Sequence, residues 1–238
     1  MTKPSPHCAT CMIRGLSLLK NCSAGVLDEI SKKKTSQSFK MGASLVKKDS
    51  VDSGIYCIRS GVVKAEVQNK KNGTLILRLE GKGTIVGYRT AGAMARQPLA
   101  ITAVEEVQAC YLSAEGFRSI LSDSPELRNE INKALLSEIR SIEQKALSLA
   151  TNTVRERIAE ALLHIAQVYQ YKERGRSVHT HLDRQDIADM AGTTREQVSK
   201  VLAEFRRSGL IKFRAKHLKY FDLAGLRKVA MLSNDNLV

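Results

Sequence analysis

At Ser124-Pro125 the residue pattern of this 238-residue chain changes, and that change constrains the fold more than any other feature. Before it, short β-rich runs alternate with turn residues: Ser44–Lys47, Gly54–Arg59, Val62–Val67, Leu75–Leu79, Ile85–Tyr88, Ala100–Val104 and Val107–Leu112. Glycines 42, 54, 61, 73, 81, 83 and 87 punctuate them, and Asn72-Gly73 suits the two positive-φ positions of a type I′ hairpin turn. Several short strands at even spacing predict a sandwich or barrel over residues 36–112. After the change, Leu127, Ile131, Leu135, Ile139, Ile142, Ala146 and Leu149 recur at intervals of three and four. That period predicts one long helix, with Ser124 as cap and Pro125 at the first helical position.

The expected fold class is therefore α+β, in four segments. A cysteine-containing arm spans 1–23. A β-domain at 24–123 opens with a short helix at about 24–33, a long helix spans 124–150, and a helical domain occupies 151–238. At 1.5 Å per residue the long helix is about 37 Å long. Its narrow stripe predicts pairing with a second copy through Ile131, Leu135, Ile139, Ile142, Ala146 and Leu149. No Asp or Glu lies on that stripe, so the pairing is expected without an activating ligand. Packing of the stripe on the β-domain is the alternative.

The stretch from Asp183 to Gly209 is the most specific in the chain. Asp183 is placed to cap a helix over Arg184–Met190, and Ala191-Gly192 makes a tight turn. Thr193 is expected to cap the next helix, with Glu196 three residues on as a capping box. Val198, Val201, Leu202 and Phe205 form its inner side, and Gly209 stops it. Two helices joined by a short glycine-containing turn describe a helix-turn-helix, whose second helix enters the major groove of DNA. Arg195, Glu196, Ser199 and Lys200, with Thr194 beside them, are the candidate contacts. Arg195 suits guanine O6 and N7, and Glu196 suits cytosine N4. The alternatives are capping alone for Glu196 and a solvated face for Arg195 and Lys200. A basic hairpin follows, with Leu210–Phe213 and Leu218–Phe221 as arms; its tip residues Arg214 and Lys216 are expected on phosphate as a wing.

Charge agrees. The net charge is +14, and six basic residues with no acidic one fall between Arg206 and Lys219. Such a run favours a polyanion, because neutralising phosphates releases counterions. No apolar run reaches the length of a membrane span. The first 25 residues are broken by Pro4, Pro6, Arg14 and Lys20 and do not read as a signal peptide, so the cytoplasm is the expected location. His7, His164, His179, His181 and His217 form no catalytic constellation, and no phosphate loop is present, so an enzyme is not expected. The five cysteines are odd in number, which argues against a disulfide framework, while Cys8-x-x-Cys11 has the spacing of a metal or cluster site.

The chain resembles the Crp/Fnr superfamily of bacterial regulators over nearly its whole length. The resemblance rests on GIYCIRSGVVKAEV (54–67), GKGTIVGYRTAG (81–92), TVRERIAEALLHIA (153–166) and LDRQDIADMAGTTREQVSKVLAEFRRSGLI (182–211). It implies a cyclic-nucleotide-binding-like β-roll (jelly roll), a dimerisation helix and a C-terminal winged helix-turn-helix. It also implies a homodimer on double-stranded DNA, with RNA polymerase as protein partner. In the family, the positions of Arg195, Glu196, Ser199 and Lys200 read a palindrome, with TTGA-type half-sites for a Glu…Ser-Arg pattern. Lys200 departs from that pattern, since lysine lacks the guanidinium fork. The cyclic-AMP branch anchors its nucleotide with Gly-Glu and Arg-Ser pairs; here Gly87 precedes Tyr88 and Pro98-Leu99 stands where Arg-Ser would, so cyclic AMP is not expected. Fnr-type sensors hold a [4Fe–4S] cluster on an N-terminal cysteine group and one late β-roll cysteine. Cys8, Cys11 and Cys110 match, and Cys22 is the expected fourth ligand at a longer spacing, with Cys57 read as a small core residue. Zinc on the same thiols, or no metal at all, stays open. So does a degenerate sensor that answers another small ligand or is constitutively active.

Overall fold

The structure, a computed structural model, describes residues 6–51, 53–68, 73–91, 96–170, 180–214 and 217–231, without the side chains of 213–221. Asn72 of the expected turn and Lys216 of the expected wing lie outside the described residues. In chain order the elements are α1 (Ala24–Lys33), β1 (Thr35–Phe39), β2 (Ser44–Val46), β3 (Ile55–Ser60), β4 (Val63–Gln68), β5 (Thr74–Glu80) and β6 (Ile85–Val86). Then come α2 (Tyr88–Ala91), β7 (Ala100–Ala103), β8 (Val107–Leu112), α3 (Ala114–Asp123), α4 (Pro125–Thr151) and α5 (Val154–Val168). The chain closes with α6 (Arg184–Ala191), α7 (Arg195–Arg207), β9 (Ile211–Arg214), β10 (His217–Phe221) and α8 (Leu223–Val229). Two compact units result: Met1–Val67 with Glu80–Ile142, and Gln68–Leu79 with Glu143–Val238.

The first unit is built on antiparallel strands. One sheet has the order β1-β8-β3-β6, and in the other β2, β7 and β4 are neighbours in that order. All seven expected strands are present. β1 is additional: Thr35-Ser-Gln-Ser-Phe39 has no apolar alternation, and its strand exists through its ladder with β8, from Thr35↔Tyr111 to Phe39↔Val107. Alternation along β3 and β8 splits their side chains between two faces. Ile58, Val107 and Ala109 are fully buried on one. Ile55, Cys57, Cys110 and Leu112 are on the other. There Ile55 and Leu112 join a core with residues of the N-terminal arm, α1, α3 and the start of α4. The arm is held by two 3-10 turns, Cys8–Thr10 and Arg14–Leu16.

Helix α4 corrects the expected seam. Ile131 is buried in the core of the first unit, with Leu135 packed against it. Leu149 approaches Gly192 inside the second unit. Both ends of the stripe thus serve their own chain. The exposed apolar residues are Leu136 (59%), Ile139 (51%) and Leu147 (63%), with Ala146 beside them and Ile142 half-buried. Leu136 and Leu147 had escaped the periodicity because the strongest repeat marked the intrachain face. Exposed Glu143 lies between Ile139 and Leu147, so the outward face is not free of acid.

The second unit is a helical core finished by a hairpin. A capping box of Thr153 and Glu156 opens α5, and one of Asp183 and Asp186 opens α6. Ile158, Leu162, Ile165, Ala188, Val198, Phe205, Ile211 and Leu226 are nearly or wholly buried. The C-terminal end of α4 is tied to this core: Lys145 Nζ donates to the Met190 carbonyl, and Ser148 Oγ donates to Glu160 Oε2 at 2.6 Å. His164 Nε2 accepts the Leu79 N–H at 3.2 Å, and burial, with the Lys145 charge nearby, pushes its pKa down to about 4. The unfolded chain protonates first, near 6.5. Stability is therefore complete above pH 6.5 and falls as pH drops towards 4. His164→Gln, which keeps an acceptor and cannot titrate, should flatten the decline in urea midpoint over that window; an unchanged slope counts against this assignment.

Candidate functional site

Two places bring chemistry-bearing residues together. The first is the start of α7. Gly192 ends α6 in the left-handed region at φ 59°, where an L side chain is strained, and a Cβ there would also lie 2.5 Å from Leu149 Cδ2. Thr194, rather than Thr193, is the N-cap of α7; its hydroxyl accepts from the Gln197 N–H at 3.4 Å. Glu196 therefore sits one position short of the capping-box place. Its own backbone N–H and the Thr194 hydroxyl hold its pKa below the usual carboxylate range.

Helix α7 is sharply partitioned. Val198, Val201, Leu202 and Phe205 are buried, at the spacing of a single helix face. Each such burial is worth about 1.5–3 kcal/mol. The Arg155 guanidinium stacks 5.2 Å from the Phe205 ring centroid. The opposite side presents Thr194, Arg195, Glu196 and Lys200 to solvent, with Ser199 half-exposed and donating to the Arg195 carbonyl at 2.9 Å. Gln197, which the sequence reading passed over, is exposed among them. An amide in the first turn of such a helix, able to pair with adenine, was the available signal. Strands β9 and β10 pair antiparallel from Ile211↔Phe221 to Arg214↔His217, which places Arg214 at the end of β9.

The second place is a cavity of about 50 Å³ in the first unit, with an almost wholly apolar lining. Cys8, Cys11, Cys57 and Cys110 all reach it, together with the cations Arg14, Lys34 and Arg59. Lys34 Nζ lies 3.2 Å from Cys8 Sγ, and the Cys8 N–H donates to Ser31 Oγ at 2.8 Å. Cys57 faces Cys110 directly across the β3–β8 ladder. It packs against the core of the first unit, as expected, and lines the cavity as well. Burial, then the neighbouring Cys110, Cys11 and Cys8, pushes its pKa up to about 12. Cys22 is the reverse case. It is buried in the arm's core, outside the cavity lining, with its thiol directed at the Leu18 carbonyl at 3.9 Å. Burial, then Glu126 and Glu130, pushes its pKa up to about 11. Both nitrogens of His7 are engaged, Nδ1 with the Ala9 N–H and Nε2 with Asp28.

Among the described residues no group of three or more His, Cys, Asp or Glu is set to hold a single metal ion. A cubane differs, since it spreads four thiolates over four irons. Four sulfurs around one shielded apolar space, with cations close by, suit that soft and anionic group.

The Crp-like helix-turn-helix domain family matches residues 156–229, and the cyclic nucleotide-binding domain family matches residues 36–124. The anaerobic regulatory protein of Haemophilus influenzae is 28% identical over 231 residues, covering 92% of this chain and 86% of that protein. The fumarate and nitrate reduction regulatory protein of Vibrio cholerae is 25% identical over 236 residues, covering 97% and 92%. The solved structure of FixK2 from Bradyrhizobium japonicum superposes with a TM-score of 0.74 at 19% identity, covering 84% of this chain and 98% of that one, and shares the fold. With the α7 partition and the hairpin after it, these matches place the chain in the Crp/Fnr superfamily of transcription regulators, on its Fnr-like side, with a DNA-binding helix-turn-helix.

Proposed function

We propose that this regulator binds a two-fold symmetric duplex site as a homodimer, one α7 start in each of two successive major grooves, and takes its signal through an iron–sulfur cluster in the thiol cavity. The carrying observation is the partition of α7, whose apolar face is spent on its own core while its basic and amide-bearing start stays open. Arg195 reads guanine with two donors; Glu196, Ser199 and Lys200 read or position beside it, and Thr194 and Gln197 flank them. Arg214 and Lys216 hold phosphate. The half-site is of TTGA type, with weaker discrimination where Lys200 lacks the fork. The exposed Leu136, Ile139 and Leu147 support pairing with a second copy. RNA polymerase is the protein partner, in a bacterial cytoplasm. No helix among the described residues is long and apolar enough to cross a membrane.

Cyclic AMP is not the proposed effector. Tyr88 follows Gly87 with its ring buried and its hydroxyl donating to Glu138 Oε1 at 2.5 Å, and Pro98-Leu99 brings no cation for a phosphate. The residues of the thiol cavity fit a cluster instead. Bound there, it would supply oxygen- and nitric-oxide-sensitive redox chemistry that the side chains lack. The thiolates of Cys8, Cys11 and Cys110 would hold it, and Arg14, Lys34 and Arg59 would offset its charge.

Selection from a random duplex library, followed by footprinting, tests the DNA reading. The expected product is a palindrome with half-site centres about one helical turn apart. No enrichment over random duplex contradicts it. Lys216→Ala should weaken all sequences alike and reduce the logarithmic salt slope by about 1. A loss confined to the selected site would remove Lys216 from the phosphate role.

A further inference from the structure

We propose that Cys57, and not Cys22, completes the thiolate set with Cys8, Cys11 and Cys110. The inference rests on the cluster reading above and concerns which side chains of this chain serve it.

Three geometric observations carry it. First, Cys57 lines the same cavity as the other three, and Cys22 does not. Second, Cys57 and Cys110 are Cα partners on adjacent antiparallel strands, so their side chains leave the sheet on the same face. That is the face on which Ile55 and Leu112 meet the arm that carries Cys8 and Cys11. Third, Cys22 is locked elsewhere. Its neighbours clamp the chain to α4: Asn21 Nδ2 donates to Glu130 Oε1 at 3.1 Å, and Ser23 Oγ donates to Glu126 Oε1 at 2.7 Å. Bringing Cys22 to the cavity would break both bonds and remove a buried side chain from the core. Arg14, Lys34 and Arg59 lie on the cavity wall. A [4Fe–4S] core with four thiolates carries a net charge of about −2, which that wall offsets.

The ligation balances without electron transfer. At each position a Cys–S–Fe bond forms, a bond from iron to a carrier thiolate breaks, and the carrier thiolate takes the cysteine proton.

The test is anaerobic loading of the full-length chain from a preformed [4Fe–4S] core carried on small thiolates, read by iron and sulfide content and by the visible spectrum. Wild type and Cys22→Ser should both take up about four irons per chain. Cys57→Ser should fall to less than half, with an altered spectrum. Full loading of Cys57→Ser, or loss of loading in Cys22→Ser alone, overturns the assignment while leaving the cluster reading intact. An iron-free wild type overturns the cluster reading itself, and the assignment with it. Alkylation of wild type, mapped by mass spectrometry, avoids any dependence on the folding of variants. Cys57 should be protected at least tenfold in the loaded chain relative to the iron-free chain, with Cys22 equally reactive in both; protection of Cys22 instead of Cys57 contradicts the proposal.

Discussion

Ile139→Glu should sediment as a monomer at micromolar concentration and bind the selected palindrome about 100-fold or more weakly than wild type. Ile139 is half exposed on α4, flanked along the helix by exposed Leu136 and Leu147. If that face is the seam between copies, a glutamate there brings two carboxylates together across the two-fold axis, next to the Glu143 pair already present. Burying such charges costs several kcal/mol without a partner. A monomer loses the second half-site, and with it the 10²–10⁴ gain that linked binding confers. Because Ile139 supports neither core, the thermal transition should stay within a few degrees of wild type. A stable dimer of this variant would move the seam elsewhere on the chain. Ile131→Glu makes the contrast: Ile131 lies in the core of the first unit, so this change should unfold that unit rather than dissociate a dimer.

Arg195→Ala should bind the selected site about 10- to 100-fold more weakly and lose its preference at one base pair of each half-site, because a paired guanine contact is worth about 1–3 kcal/mol. Its affinity for random duplex should change by less than threefold. Arg195 is exposed at the first position of α7 and supports no neighbour in the core, so the fold is expected to be untouched. Equal losses on selected and random duplex, measured by anisotropy at one salt concentration, would assign Arg195 to phosphate instead. The conservative variant Arg195→Lys should recover charge without recovering the base preference, since an ammonium offers no fork.

Much of the fold was legible because it rests on local periodicity. The seven β-rich runs, the proline-started long helix and the Asp183–Gly209 signature each appear in the structure close to their expected bounds. β1 was not legible, since Thr35-Ser-Gln-Ser-Phe39 owes its conformation to β8, a partner far along the chain. Helix α3 was hidden for a different reason: it is short, and its signals are the Ser113 cap and buried Phe117 and Ile120. The site was legible where side chains act from one element, as at α7, apart from the cap, which shifted from Thr193 to Thr194. It was not legible where side chains converge from distant segments. The β3–β8 register sets Cys57 against Cys110, and no local pattern encodes that pairing. The stripe of α4 misled similarly. Periodicity reports that a face is apolar and is silent on whether it meets its own chain or another.

The central claim is that the start of α7 enters the groove. A photo-crosslinking residue in place of Gln197, exposed in that first turn, tests it on the intact protein bound to the selected duplex. The predicted result is crosslinks to bases at two positions related by the two-fold axis of the site, one in each half-site major groove. Full binding of the duplex with no crosslink to any base would contradict it.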